Sequence, residues 1–220
     1  MIRVFTAILL FSSLSYGASP VRVDCNQLTL STPARVLTDG EFFNDEESGF
    51  SYRGRIDGGE KIYLGSIDAW GTTEEVTGVH FLYVNGFNVI ENSRGLGIGT
   101  ILYTEKLRRT EENLGAPVDQ IRASSMTGTN RDTWLTRLAE LLKGQPGFVA
   151  PASGLNAEET FRSCCSTIFK QYPDLMAKAL ENTPSFKIRK QLGYGKVCPG
   201  SVKFEILGDG QYALNFDSCK

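Results

Sequence analysis

The 220-residue chain has a single histidine, His80, and no Cys-x-x-Cys pair. Structural and catalytic zinc sites are assembled from clustered cysteine and histidine, so no metal is expected. Charge of one sign is also missing. Twenty-three lysines and arginines face 25 aspartates and glutamates, for a net charge of −2. No global basic field exists to draw in nucleic acid, and any polyanion must be met by a local site. The N-terminal apolar stretch, Val4–Leu14, is only 11 residues long, against the roughly 20 that cross a bilayer as a helix. Internal repeats and low-complexity tracts are absent. What is present is ordinary for a soluble globular protein: 41% hydrophobic and 22% charged residues. The length suits one α/β domain with a sizeable core.

The N-terminus has the parts of a secretory signal in order. Arg3 is a short positive region, residues 4–14 are the apolar core, and small residues follow in Ser15-Tyr16-Gly17-Ala18-Ser19. Cleavage after Gly17 places Ser15 and Gly17 at the two small-residue positions, whereas cleavage after Ala18 places Tyr16 there. The expectation is a signal peptide over residues 1–17 and an exported product with no stable membrane insertion. An uncleaved anchor at residues 4–14 is the alternative. Export permits disulfides among Cys25, Cys164, Cys165, Cys198 and Cys219. A C-terminal β-hairpin centred on Gly208-Asp209 sets Cys198 opposite Cys219 and predicts their bond, although Pro199-Gly200 can insert a bulge. Cys25 can join Cys164 or Cys165; those two are equally readable as buried helix residues.

Along the chain, Phe50–Ile56 and Lys61–Ile67 read as strands around the turn Asp57-Gly58-Gly59. Val79–Val84 and Phe87–Ile90 are further strand material, with Asn85-Gly86 either a tight turn or a bulge. A glycine loop then opens a helix with an apolar stripe of Ile98, Ile101, Leu102, Leu107 and Leu114, stopped by Gly115 and Pro117. Residues 118–124 suggest a strand. Asn130 is the expected cap of a helix whose Trp134 and leucine stripe form core. Helices are expected over 157–171 and 174–181, and a shorter one over 183–192, capped by Asn182.

Chemistry concentrates in Val89-Ile90-Glu91-Asn92-Ser93-Arg94-Gly95-Leu96-Gly97-Ile98-Gly99-Thr100. Backbone amides that open a helix lack intrahelical partners and sit at the positive end of its dipole. Glycines let an anion approach that backbone, and a pyrophosphate is the natural guest. Arg94 adds a fixed positive charge. The loop lacks the lysine of a Walker motif, and its glycines at 95, 97 and 99 miss the Gly-x-Gly-x-x-Gly spacing of dinucleotide folds.

Arg94-Gly95-Leu96-Gly97-Ile98-Gly99 resembles the acetyl-CoA pyrophosphate motif of GNAT-type N-acetyltransferases, and the Val89 lead-in resembles the strand before it. A second block, Asn182 to Tyr194, is similar to that family's late helix, which begins at an Asn and ends Leu-Gly-Phe. The resemblance implies an α/β (α+β) fold: a mixed, mostly antiparallel sheet flanked by helices. Residues 18–220 are then one domain, with a helical insertion at about 130–181. It implies acetyl-CoA or another acyl-CoA as co-substrate, held by Val89, the 94–100 loop, Asn182 and Arg189. The acceptor is then a small-molecule or peptide amine, attacking the thioester directly. In the family a Tyr near the middle of the late helix can protonate the departing thiolate. Arg189 occupies that register here. It is no ordinary acid near neutral pH, but it can stabilise a thiolate or bind a CoA phosphate. His80 reads as a general base or as an ordinary strand histidine, and Glu91 as a residue acting through water or as a solvated carboxylate. Three readings follow: an exported acyltransferase, a GNAT-like binding module without chemistry, or a secreted factor acting in another cell.

Overall fold

Strands β1 (Leu37–Asp45), β2 (Gly49–Ile56), β3 (Lys61–Thr73) and β4 (His80–Val89) form an antiparallel meander in chain order. The computed structural model describes residues 34–45, 49–123, 128–146, 171–206 and 212–220. Helix α1 (Ile98–Leu114) leads from β4 to β5 (Gln120–Ala123), which pairs parallel to β4. Then come α2 (Gly128–Lys143), α3 (Pro173–Leu180) and α4 (Pro184–Gln191), followed by β6 (Lys196–Val197), β7 (Lys203–Ile206) and β8 (Tyr212–Cys219). The sheet order is β1-β2-β3-β4-β5-β8-β6, with β7 paired to the first half of β8. The architecture is mixed α/β, and β4–β5 is the parallel pair among the described strands.

Two apolar cores support it. The first lies between α1 and the meander, where Leu64, Ile67, Leu82, Ile98, Leu102 and Tyr103 are almost wholly buried. Ile67 and Ala69 alternate along β3 and Leu82 and Val84 along β4, and Ile98 and Leu102 recur at helical spacing along α1, so each element turns these residues to the same core. The second joins Trp134, Leu138 and Leu142 of α2 and Met176 and Leu180 of α3 to Phe186 of α4 and Phe216 of β8. Trp134 and its leucine stripe are core, as their spacing implies.

Several expectations change. Asn85-Gly86 is a bulge within one continuous β4: Asp68 pairs with Gly86 and Ala69 with Val84, leaving Asn85 as the extra residue. Asn130 lies inside α2 rather than capping it. At the C-terminus Ile206 pairs with Tyr212, where the expected turn would oppose it to Gln211. Cys198 opposes Asp217, to whose carbonyl its amide donates at 2.8 Å. The cause is Pro199-Gly200: Gly200 has φ 71°, and residues 198–202 leave the ladder between β6 and β7. The Cys198–Cys219 disulfide forms all the same, across a Cα separation of 5.4 Å. The expected signal segment, residues 157–170 of the helix expected at 157–171, the turn at 207–210 and any bond of Cys25, Cys164 or Cys165 lie outside the described residues.

Candidate functional site

The described β4–β5 pairing runs as far as Val84–Ala123, and β4 continues through the bulge to Val89 against β3. A single 3-10 turn, Glu91–Ser93, follows. The buried Ser93 hydroxyl lies 2.9 Å from the carbonyls of Leu64 and Ile90, which ties the turn to β3. The Arg35 guanidinium donates to the Asn92 carbonyl. Gly95 and Gly97 then take φ of 83° and 75°, in the left-handed region that favours glycine. A Cβ built on either meets nothing within 4 Å. The loop therefore needs glycine for its backbone and leaves open space at both α-carbons. Ile101 N–H donates to Gly97 C=O at 3.1 Å, the first bond of α1. The amides of Ile98, Gly99 and Thr100 precede that bond, at the positive end of the helix dipole. Arg94 is exposed beside them, with Nη2 donating to Thr129 Oγ1 at 3.3 Å.

Gly99 has a different reason to be glycine. A Cβ there would lie 2.5 Å from Ile188 Cδ1 and 3.1 Å from Phe87 Cζ. It is the contact point of α1, α4 and β4. The other motif residues divide in the same way. Ile98 is core, and Leu96 and Val89 pack against it. The Thr100 hydroxyl donates to Gln191 Oε1 at 3.2 Å, a second link between α1 and α4.

Asn182 is not the cap of α4. Its Nδ2 donates to Lys178 C=O at the end of α3, at 2.9 Å. The cap is Thr183, whose hydroxyl accepts from Phe186 N–H at 3.4 Å. Pro184 is the reason: a residue before proline is held extended, which is the cap conformation. The adjoining first-turn amide, Ser185 N–H, donates to Asn130 Oδ1 from α2 at 3.1 Å.

Beside the β4 bulge lies a cavity of about 90 Å³. Asn85, Gly86 and Phe87 wall it from β4, Tyr103 from α1, Asn130 from α2, Ser185 and Arg189 from α4, and Phe216 from β8. Arg189 is only 2% exposed. Its Nε and Nη2 donate to the Tyr103 hydroxyl at 3.4 and 3.3 Å, and its Nη1 to Ser218 Oγ at 3.1 Å. Its guanidinium carbon also lies 5.0 Å from the centre of the Phe216 ring.

Sequence reasoning reached Arg189 but missed Tyr103, Asn130, Ser185 and Ser218. Tyr103 carried a signal: it stands four residues after Gly99 and beside Leu102, on the buried stripe of α1. His80 does not line the cavity. It starts β4, at the far end from the bulge, with Nδ1 2.8 Å from Thr73 Oγ1. Glu91 is exposed in the 3-10 turn. A larger cleft of about 470 Å³ lies between α1 and β2–β3, lined by Phe50, Trp70, Lys106 and Arg109, and the glycine loop does not line it. Burial lowers the Lys106 pKa there. Among the described residues no cluster of metal ligands is found, and no helix is long and apolar enough to cross a membrane.

The chain is similar to several solved structures of acetyltransferases. Solved structures to which the chain is similar include the NatC complex bound to Gag peptide and CoA, at 10% identity and a TM-score of 0.38, over 78% of this chain and 70% of that one. An aminoglycoside acetyltransferase from an uncultured soil metagenomic sample, in complex with trehalose, is 14% identical at a TM-score of 0.28, over 69% of this chain and 80% of that one. The ribosomal-protein-alanine N-acetyltransferase of Brucella melitensis is 20% identical at a TM-score of 0.27, over 48% of this chain and 70% of that one. Against two further structures, from Pyrococcus furiosus and Arabidopsis thaliana, the chain spans 64% and 50% of their length. No protein-family model and no curated protein matches the chain.

Proposed function

We propose that the protein is an acyl-CoA-dependent acyltransferase, moving an acetyl or other acyl group to an amine of a small molecule or peptide. One observation carries the reading. A loop with two left-handed glycines and open α-carbons opens α1 at the end of β4, and the bulge in the same strand walls a cavity. The residues fit an acyl-CoA. The amides of Ile98, Gly99 and Thr100, with Arg94, would hold the pyrophosphate. Bound acyl-CoA would supply a thioester, activated toward attack by a neutral amine. The chain's own part is largely positioning. Gly99 and Thr100 fix α1 against α4, and Ser93 fixes the loop against β3. Arg189 and Tyr103 hold a positive charge and a hydroxyl at the cavity wall. Both suit a site where negative charge develops on sulfur.

Export belongs to this proposal and rests on residues 1–19. The Cys198–Cys219 disulfide supports it, since such bonds persist in oxidising compartments. A binding module without chemistry is the second reading, favoured by the buried Arg189 at the register of the family's tyrosine. Calorimetric titration of the full chain with acetyl-CoA and CoA tests the cofactor site, with Arg94→Glu as control. The expected result is binding that the variant loses. Folded wild-type protein that binds neither compound would overturn the proposal. Binding without turnover across an amine screen would favour the module.

A further inference from the structure

A buried cation normally has an anionic partner, because leaving water costs a charge several kcal/mol in the absence of one. Arg189 has none among the described residues. Its bonds go to two neutral hydroxyls, on Tyr103 and Ser218. Asp217, the carboxylate adjacent to Ser218 in β8, is taken by Arg122 in a two-pronged pair at 2.7 and 2.8 Å. No residue lining the cavity is acidic.

The cavity wall is also rich in donors. Hydroxyls that accept from Arg189 still have their own protons to give, and Tyr103 is one. Asn130 commits its Oδ1 to the Ser185 amide, which leaves its Nδ2 as donor. The space is small, about 90 Å³. A planar monoanion matches one guanidinium in charge and in the geometry of its N–H fork; a phosphate dianion exceeds that single charge.

We infer that the cavity at Arg189 is a receptor for a short carboxylate. The receptor follows from the buried charge. That the carboxylate belongs to a reactant rests on the acyltransfer reading, and it narrows the substrate class. Either the acyl chain ends in a carboxylate, or the amine acceptor carries one close to its nitrogen.

The test begins without any cofactor. The full chain is melted in succinate and in succinamide at equal concentration and ionic strength. Succinate is expected to raise the Tm and succinamide is not. Arg189→Met, which keeps the bulk and removes the charge, is expected to abolish the difference, and Arg189→Lys to restore it in part. A structural role for Arg189 would change the Tm of the variants but not the contrast between the two compounds. Calorimetry then compares succinyl-CoA with acetyl-CoA. A preference of about tenfold or more for succinyl-CoA, lost in Arg189→Met, assigns the carboxylate to the acyl chain. No such preference, with an amino acid stabilising the CoA complex above its amide, assigns it to the acceptor. If succinate is distinguished while no CoA compound binds, the receptor stands and the acyltransfer reading falls. Succinate and succinamide acting alike on folded wild-type protein overturns the inference, even if Arg189→Met fails to fold.

Discussion

The Tyr103 hydroxyl lies 3.3 Å from Nη2 of Arg189, and α1 and α4 thereby share one polar contact inside the protein. Tyr103 is 0% and Arg189 2% exposed, so both lie away from bulk solvent. Tyr103→Phe removes the acceptor of two guanidinium nitrogens and leaves a charge less satisfied. The expected cost is about 1–3 kcal/mol, read from urea unfolding. In the Arg189→Met background the same change should cost much less, because the two residues act as a pair. Equal costs in both backgrounds would show that they are not coupled.

Gly95 and Gly99 should separate by mechanism. Gly99→Ala forces a methyl to 2.5 Å from Ile188 Cδ1. It is expected to destabilise by about 1–3 kcal/mol through overpacking. Ile188→Ala in the same chain should relieve part of that loss. Gly95→Ala has free space but φ 83°, so its cost of about 1 kcal/mol is backbone strain that no neighbouring truncation can relieve. Thermal unfolding of the three variants distinguishes the two mechanisms.

How much of this was legible beforehand varied with the range of the interaction. The glycine loop, α1 and its stop, and the Trp134 stripe are local patterns, and the sequence carries them openly. The bulge at Asn85 was one of two readings, because only pairing with Asp68 and Ala69 decides between bulge and turn. The capping of α4 was misread at Asn182, although Pro184 held the clue that fixes Thr183 instead. The Cys198–Cys219 bond was anticipated through a register that the Pro199-Gly200 excursion changes. The Arg189 cavity could not be read at all: its wall comes from β4, α1, α2, α4 and β8, and no spacing rule joins residues 85, 103, 130 and 189.

Acid should weaken the protein partly through Glu105. Hydrogen bonds from Arg108 and then Arg109 hold its pKa at about 2, below the usual carboxylate value. A carboxylate whose pKa is lowered by folding contributes stability at pH values above its unfolded pKa, near 4.5. That contribution is lost as pH falls from there toward 2. Glu105→Gln should flatten stability against pH within this window and leave the alkaline side unchanged. Unfolding curves between pH 2 and 6 would check it, and parallel profiles for the two proteins would exclude Glu105 as the cause.

Base should act through Tyr194. Burial, and then the carboxylates of Glu111 and Asp119, raise its pKa above the ordinary 10, and its hydroxyl donates to Val118 C=O at 2.8 Å. The folded protein keeps the proton that the unfolded chain loses, so this stability is present below pH 10 and declines above it. Tyr194→Phe should be less stable at pH 8 and fall less steeply above pH 10.

Reduction of Cys198–Cys219 opens a loop closed across 21 residues of sequence. A loss of about 3 kcal/mol is expected, with the cysteine-free double variant matching the reduced protein. Denaturation with and without reductant measures it.

The extra residue in β4 also changes which numbers point inward. Before it, the positions that join the core under α1 are even, Leu82 and Val84; after it, they are odd, Phe87 and Val89. Deleting Asn85 would keep the composition of the strand almost intact but exchange its two faces from there on. Gly86 and Asn88 would turn to the core, and Phe87 would leave its place against Gly99. The glycine loop then begins from the wrong face of the sheet. A single deletion here behaves as a spatial frameshift, with every residue present and the site mis-assembled.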